Sequence, residues 1–211
     1  DWKNYSFEFH FRSLENLMTK LDLHDITLVV QDWGGILGLS LLGEYPERFR
    51  RVVILNTGLP GGEKFPLALR IWIHMARIHP SLPVGRVLQA GTVKRLPPEI
   101  LAAYQAPFPD KKHKGGVKAF PLLLHRKKTD AGVDRILKAR VALANWTKPA
   151  LVMFSDRDRM VGYMHDYFHQ LIPGLTNSEK ITLRNAGHFL QEEKGPELAR
   201  LLIDFVGGNQ P

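Results

Sequence analysis

The chain has 211 residues, 44% of them apolar, with a formal net charge of +8 and no cysteine. That length allows one domain, with room for an inserted lid, and the missing thiols exclude disulfides, thiolate metal sites and a cysteine nucleophile. No apolar run reaches the ~18 residues of a membrane span, and the opening DWKNYSFEFH lacks the apolar stretch of a signal peptide, so a cytoplasmic protein with no membrane partner is expected.

Leu14, Leu17, Met18 and Leu21 recur at helical spacing after Ser13, which predicts an amphipathic helix over 13–21 capped by Ser13. Residues 26–30 (ITLVV) form a short apolar run rich in β-branched side chains, as expected of a strand buried on both faces of a parallel sheet. QDWGG follows, and then Ile36, Leu37, Leu39, Leu41 and Leu42 predict a buried helix that closes at Tyr45-Pro46. Further strands are predicted at 52–55 (VVIL), 150–154 (ALVMF) and 181–183, with a closing helix through Leu198, Leu201, Leu202 and Phe205. Strands alternating with helices indicate a doubly wound α/β sheet. Between 59 and 146 the alternation stops and Pro- and Gly-punctuated helical patterning takes over, which reads as a helical lid. The basic clusters KKHK at 111–114 and RKK at 126–128 sit within that lid; they are not interleaved with aromatics, so a solvated surface is expected and no nucleic-acid partner.

A side chain presented at a sharp strand-to-helix turn needs small residues around it. Gln31-Asp32-Trp33-Gly34-Gly35 occupies such a turn, although of the two flanking glycines of the usual pattern only Gly34 is present, position 30 being Val30. Asp32 is either the cap of the helix that follows or a nucleophile. A carboxylate with a pKa near 3.9 is ionised at neutral pH and attacks without a base. Attack on a saturated carbon would give an alkyl ester, and water must then cleave it with the help of a base. His188, in NAGHFLQEE after the 181–183 strand, lies where the histidine of a nucleophile–acid–histidine order falls, with neutral imidazole the proton acceptor near pH 7. FSDRD, after the 150–154 strand, offers Asp156 and Asp158 as the acid that orients it.

VVQDWGG, VILNTGLP, LPPEILAAYQAPFPD, KAFPLLL, FSDRD and NAGHFLQEEKGPELA resemble the haloalkane dehalogenases, and the resemblance runs over nearly the whole chain. It implies an α/β-hydrolase fold with a core at 1–58 and 147–211 and an inserted helical cap at 59–146. It also implies hydrolysis of haloalkanes to alcohol, halide and proton, with substrate, halide and water as the only partners and neither cofactor nor metal. Asp158 would be the acid, Asp156 a turn residue, and the uncharged Asn56 marks the subfamily that does not draw its acid from that loop. Trp33 and Trp72 would donate indole N–H groups to the halide, and Phe120, Pro121 and Leu124 would line the substrate cavity. Only 25 residues precede Ile26, where such a fold carries several strands, and the chain begins with Asp. A fragment lacking the N-terminal strands is therefore expected, and turnover by these residues alone stays open.

Two other readings remain. An epoxide hydrolase would share the Asp-Trp elbow but needs phenolic donors for its alkoxide, and Tyr104 is the single tyrosine of the lid segment. A non-catalytic binding or structural protein derived from a hydrolase is the alternative of another class. His165 and His169 share a helix face, but HDYFH has Asp where a zinc protease helix needs Glu, so two solvated histidines are expected.

Overall fold

A computed structural model describes residues 2–125, 127–176 and 178–208. Arg126 of the RKK cluster lies outside the described residues, as does Asp1.

Four parallel strands, β1 (Ile26–Gln31), β2 (Phe49–Leu55), β3 (Ala150–Ser155) and β4 (Ile181–Leu183), form one sheet in the order β1-β2-β3-β4. The predicted strands are all present. β2 starts three residues before the apolar run, because Arg50 and Arg51 interrupt the run while the buried Phe49 still pairs with Ile26. Side chains alternate along β2: Val52 and Ile54 join one core, Val53 and Leu55 the other. Each such fully buried side chain contributes about 1.5–3 kcal/mol.

The first core lies between the sheet and α1 (Phe7–Lys20), α2 (Asp32–Glu44), α7 (Val133–Ala144) and α8 (Met164–Leu171). α9 (Leu190–Gly207) covers the other face with Leu190, Leu198 and Phe205. Its Pro196 lacks an N–H for the preceding turn, and the helix is kinked at Lys194. α2 is apolar on nearly every side and buried from Gly35 to Leu42. It meets α7 so closely that a Cβ on Gly43 would sit 2.6 Å from the Ala139 nitrogen.

Two expectations are corrected. α1 starts at Phe7 and is capped by Ser6, whose hydroxyl oxygen accepts the Phe9 N–H at 3.1 Å, while Ser13 lies inside the helix and donates to the Phe9 carbonyl. The buried face of α1 is Phe7, Phe11 and Met18, and Leu14, Leu17 and Leu21 are exposed. The reason is the partner: the Phe11 ring lies under the Arg135 guanidinium of α7 at 3.9 Å, and Arg135 also pairs with Glu8 and Glu44, fixing the rotation of α1. β1 is the outer strand of the described sheet, so it is not buried on both faces, and Val29 is exposed.

The remaining helices, α3 (Leu67–Ile78), α4 (Val84–Ala90), α5 (Pro98–Gln105) and α6 (Gly115–Leu123), lie within the 59–146 segment. α3, α4 and α6 share a cavity with residues that follow each of the four strands, and the carboxyl ends of the strands are the usual location of a binding crevice in an open α/β sheet. No described helix is long and apolar enough to cross a membrane.

Candidate active site

Asp32 opens α2 at the bend that follows β1, with a φ of 48° in the left-handed region where side chains other than glycine are rare. Such a conformation costs about 1–3 kcal/mol and persists only where its surroundings enforce it. Here the end of β2 enforces it: the Asp32 N–H donates to the Asn56 carbonyl at 3.1 Å, and the Thr57 hydroxyl donates to the Asp32 carbonyl at 2.6 Å. The small residue this packing requires is Gly35, where a Cβ would fall 2.1 Å from Thr57 Oγ1, whereas Gly34, emphasised by the sequence pattern, has open space. Asp32 does not cap the helix; position Gln31 is the cap, with no side-chain hydrogen bond.

His188 follows β4 and reaches back across the sheet. Its Nε2 lies 3.2 Å from Asp32 Oδ1 and its Nδ1 2.8 Å from Asp158 Oδ2. The Asp158 side chain is fully enclosed, and its other oxygen accepts the N–H groups of Met160 at 2.7 Å and Val161 at 3.2 Å. Asp156, the rival candidate, instead accepts the Ala186 N–H and pairs with Arg157, a turn role.

Burial opposes charge on His188, but the hydrogen bonds to Asp158 and Asp32 and their negative charges push its pKa up to about 10. Burial likewise works against the Asp32 carboxylate, and the hydrogen bond and charge of His188, aided by the Trp33 N–H, hold it below its ordinary value. The ring thus lies between two carboxyl groups, a setting that favours its protonated form. The sequence alone does not show that two acids converge on one ring.

Of the Asp32 side-chain surface, 47% remains accessible. It faces a cavity of about 1530 Å³ that is also lined by His188, Trp33, Trp72 of α3, Phe120 and Pro121 of α6, and Leu124. Every residue named from sequence as site-forming is thus at this cavity. Trp33 packs edge-on against Phe120 with ring centroids 5.1 Å apart.

Several supporting residues gave no sequence signal. Gln31 donates to the His188 carbonyl at 2.9 Å, while Asn56 and Ser155 donate to the Gly187 carbonyl at 3.0 and 2.6 Å. Glu193, buried in the first turn of α9, accepts the Gly187 N–H at 2.6 Å. Tyr163 and Tyr167 line the cavity from the α8 side, outside the lid segment, whereas Tyr104 gives its hydroxyl to Glu192 at 2.6 Å. His165 and His169 are buried rather than solvated: His165 stacks on Phe154 at 5.1 Å, and His169 meets Ser178. Among the described residues no group of three His, Asp or Glu side chains is arranged to hold a metal ion.

Residues 1–81 match the family model of the alpha/beta hydrolase fold. A haloalkane dehalogenase of Psychrobacter cryohalolentis is 37% identical over 207 residues, which cover 98% of this chain and 68% of that protein. One from Mycolicibacterium paratuberculosis is 38% identical over 204 residues, 96% of this chain and 67% of the other. Among solved structures, the tetrameric haloalkane dehalogenase DpaA of Paraglaciecola agarilytica superposes with a TM-score of 0.88 at 33% identity, covering 95% of this chain and 67% of that one. The chain spans about two thirds of the length of these relatives. On this evidence the chain belongs to the haloalkane dehalogenases, α/β-hydrolases that cleave carbon–halogen bonds hydrolytically.

Proposed function

We propose that Asp32 is the nucleophile of this dehalogenase, His188 the general base and Asp158 the acid that orients it. Trp33 and Trp72 would hold the halide, and Phe120, Pro121 and Leu124 would shape the substrate cavity. The observation that carries the reading is one imidazole within hydrogen-bond reach of two carboxylates, one enclosed and one open to a cavity. The same reading takes 1–58 and 147–211 as the hydrolase core and 59–146 as the cap, with α7 the helix by which the cap segment returns to α2.

In the first step an Asp32 oxygen attacks the halogen-bearing carbon; the C–O bond forms as the carbon–halogen bond breaks, and the halide leaves with the electron pair. A halide is a weak base, so fixed N–H donors such as indoles suit it better than an acid. Esterification removes the negative charge facing His188 Nε2, so the imidazole loses one of the two partners that raise its pKa and releases its proton. Neutral His188, held through Nδ1 by Asp158, then takes a proton from water. The hydroxide adds to the ester carbonyl carbon, and the adduct collapses by breaking its bond to the alkyl oxygen, which takes the proton of the added hydroxyl and leaves as the alcohol. Asp32 returns as carboxylate and His188 as imidazolium, and one proton has been released overall.

The test is bromide release with matching acidification from 1-bromobutane. Hydrolysis of styrene oxide without bromide release would favour the epoxide reading, for which Tyr163 and Tyr167 would be the cavity phenols. Consumption of neither substrate, with Asp32 never alkylated, would favour the non-catalytic one.

A further inference from the structure

We propose that Glu193 is a positioning residue that fixes the His188 loop against the cap and so controls hydrolysis of the ester. The proposal rests on the roles given above to Asp32 and His188.

Glu193 is 7% exposed. Its Oε1 accepts the N–H groups of Val93 at 2.8 Å and Lys94 at 2.7 Å, and its Oε2 accepts that of Gly187 at 2.6 Å. One carboxylate thus ties the loop after α4 to the residue before His188. The two segments also touch directly: the His188 N–H donates to the Gly91 carbonyl at 2.7 Å, and a Cβ on Gly187 would lie 2.3 Å from that oxygen. The carbonyls of Gly187 and His188 are held from the core by Gln31, Asn56 and Ser155. Their amides are held by Glu193 of α9 and by Gly91 of the cap segment. The carboxylate lies at the start of α9, where the helix dipole favours negative charge.

The division of labour between the two steps gives Glu193 a specific effect. Attack by Asp32 needs an ionised carboxylate on the β1–α2 bend, which Glu193 does not touch. Ester hydrolysis needs the imidazole in place over a water molecule, and Glu193 holds the backbone of Gly187, the residue just before it. An amide cannot replace the carboxylate, because its single acceptor oxygen satisfies one side and its NH₂ opposes an N–H on the other.

In rapid-mixing experiments with 1-bromobutane, E193Q is expected to keep the bromide burst rate within about twofold. Ester hydrolysis is expected to slow about 10- to 100-fold, the scale set by a misplacement near 1 Å, so that alkylated Asp32 accumulates in the mass spectrum. E193D, which keeps both acceptor oxygens, should fall between E193Q and wild type. A variant that merely folds poorly would lower burst amplitude without changing the ratio of the two rates. A readout independent of turnover is nuclear magnetic resonance: E193Q should speed amide exchange at Gly187, or at Val93 and Lys94, and shift the His188 Nδ1 proton. A folded E193Q with the wild-type rate ratio or an unmoved Nδ1 resonance overturns the proposal. If H188F leaves Asp32 unmodified, the nucleophile assignment fails instead, and the resonances still decide whether Glu193 positions the loop.

Discussion

Asp32 Oδ1 lies 3.2 Å from His188 Nε2, and in the proposed mechanism this contact would tie the two chemical steps together. Under the proposed roles it joins opposite charges in the resting site, and alkylation of the carboxylate would destroy it. The imidazole would then become a base only when there is an ester to hydrolyse.

The first consequence concerns protons. With His188 at about 10 in the resting site, a single turnover at about pH 8 should release roughly one proton per site together with the bromide burst, before alcohol appears. An indicator dye in rapid mixing reads this directly. Proton release that follows alcohol formation would show that His188 starts neutral.

His188→Phe removes the base but leaves Asp32 able to attack. Bromide release should stop after one equivalent, and the peptide containing Asp32 should gain the mass of one alkyl group. Steady turnover by a folded variant would take His188 out of the second step.

Asp158→Asn replaces the enclosed carboxylate with a neutral group at similar volume. His188 should then titrate lower, and ester hydrolysis should slow by about 10² to 10⁴, in the range seen when the orienting acid of a triad is neutralised. The bromide burst should persist. An unchanged His188 titration would mean that Asp158 does not hold the imidazolium.

The raised pKa of His188 also predicts the pH dependence of stability. A group whose folded pKa lies above its unfolded value near 6.5 stabilises the fold fully below that value. The contribution is lost as pH rises through about 10. The gap in denaturation midpoint between wild type and His188→Gln should therefore be widest at about pH 6.5 and below and should close toward about pH 11. A gap that grows with pH would have the wrong sign.

Gly35→Ala forces a methyl group to within 2.1 Å of Thr57 Oγ1, whereas Gly34→Ala meets open space. The first should cost about 1–3 kcal/mol as overpacking, and the second little. Chemical denaturation of the pair checks this, and equal stability would show that the bend is not wedged as described.

The strands were legible in the sequence because each is a short, mostly apolar run, and the order of Asp32, Asp158 and His188 could be read from the loops that follow them. The facing of α1 was not. Leu14, Leu17 and Leu21 have helical spacing as good as that of Phe7 and Phe11, and the position of Arg135, more than a hundred residues away, decides between the two faces. Nor could the state of His188 be read, since it depends on two carboxylates brought to one ring by the sheet. Glu193 looks like one more acid in QEE, and nothing local marks it as buried.

What Gly91, Val93 and Lys94 offer to the histidine loop is main chain alone: one carbonyl and two amides. Nearly any residue can supply those atoms, provided Gly91 keeps room for the Phe189 ring that a Cβ would meet at 2.5 Å. The 59–146 segment can therefore change side chains around this junction while staying anchored through the same backbone atoms. Diversification of substrate range over the cap would leave the proton-handling machinery beneath it undisturbed.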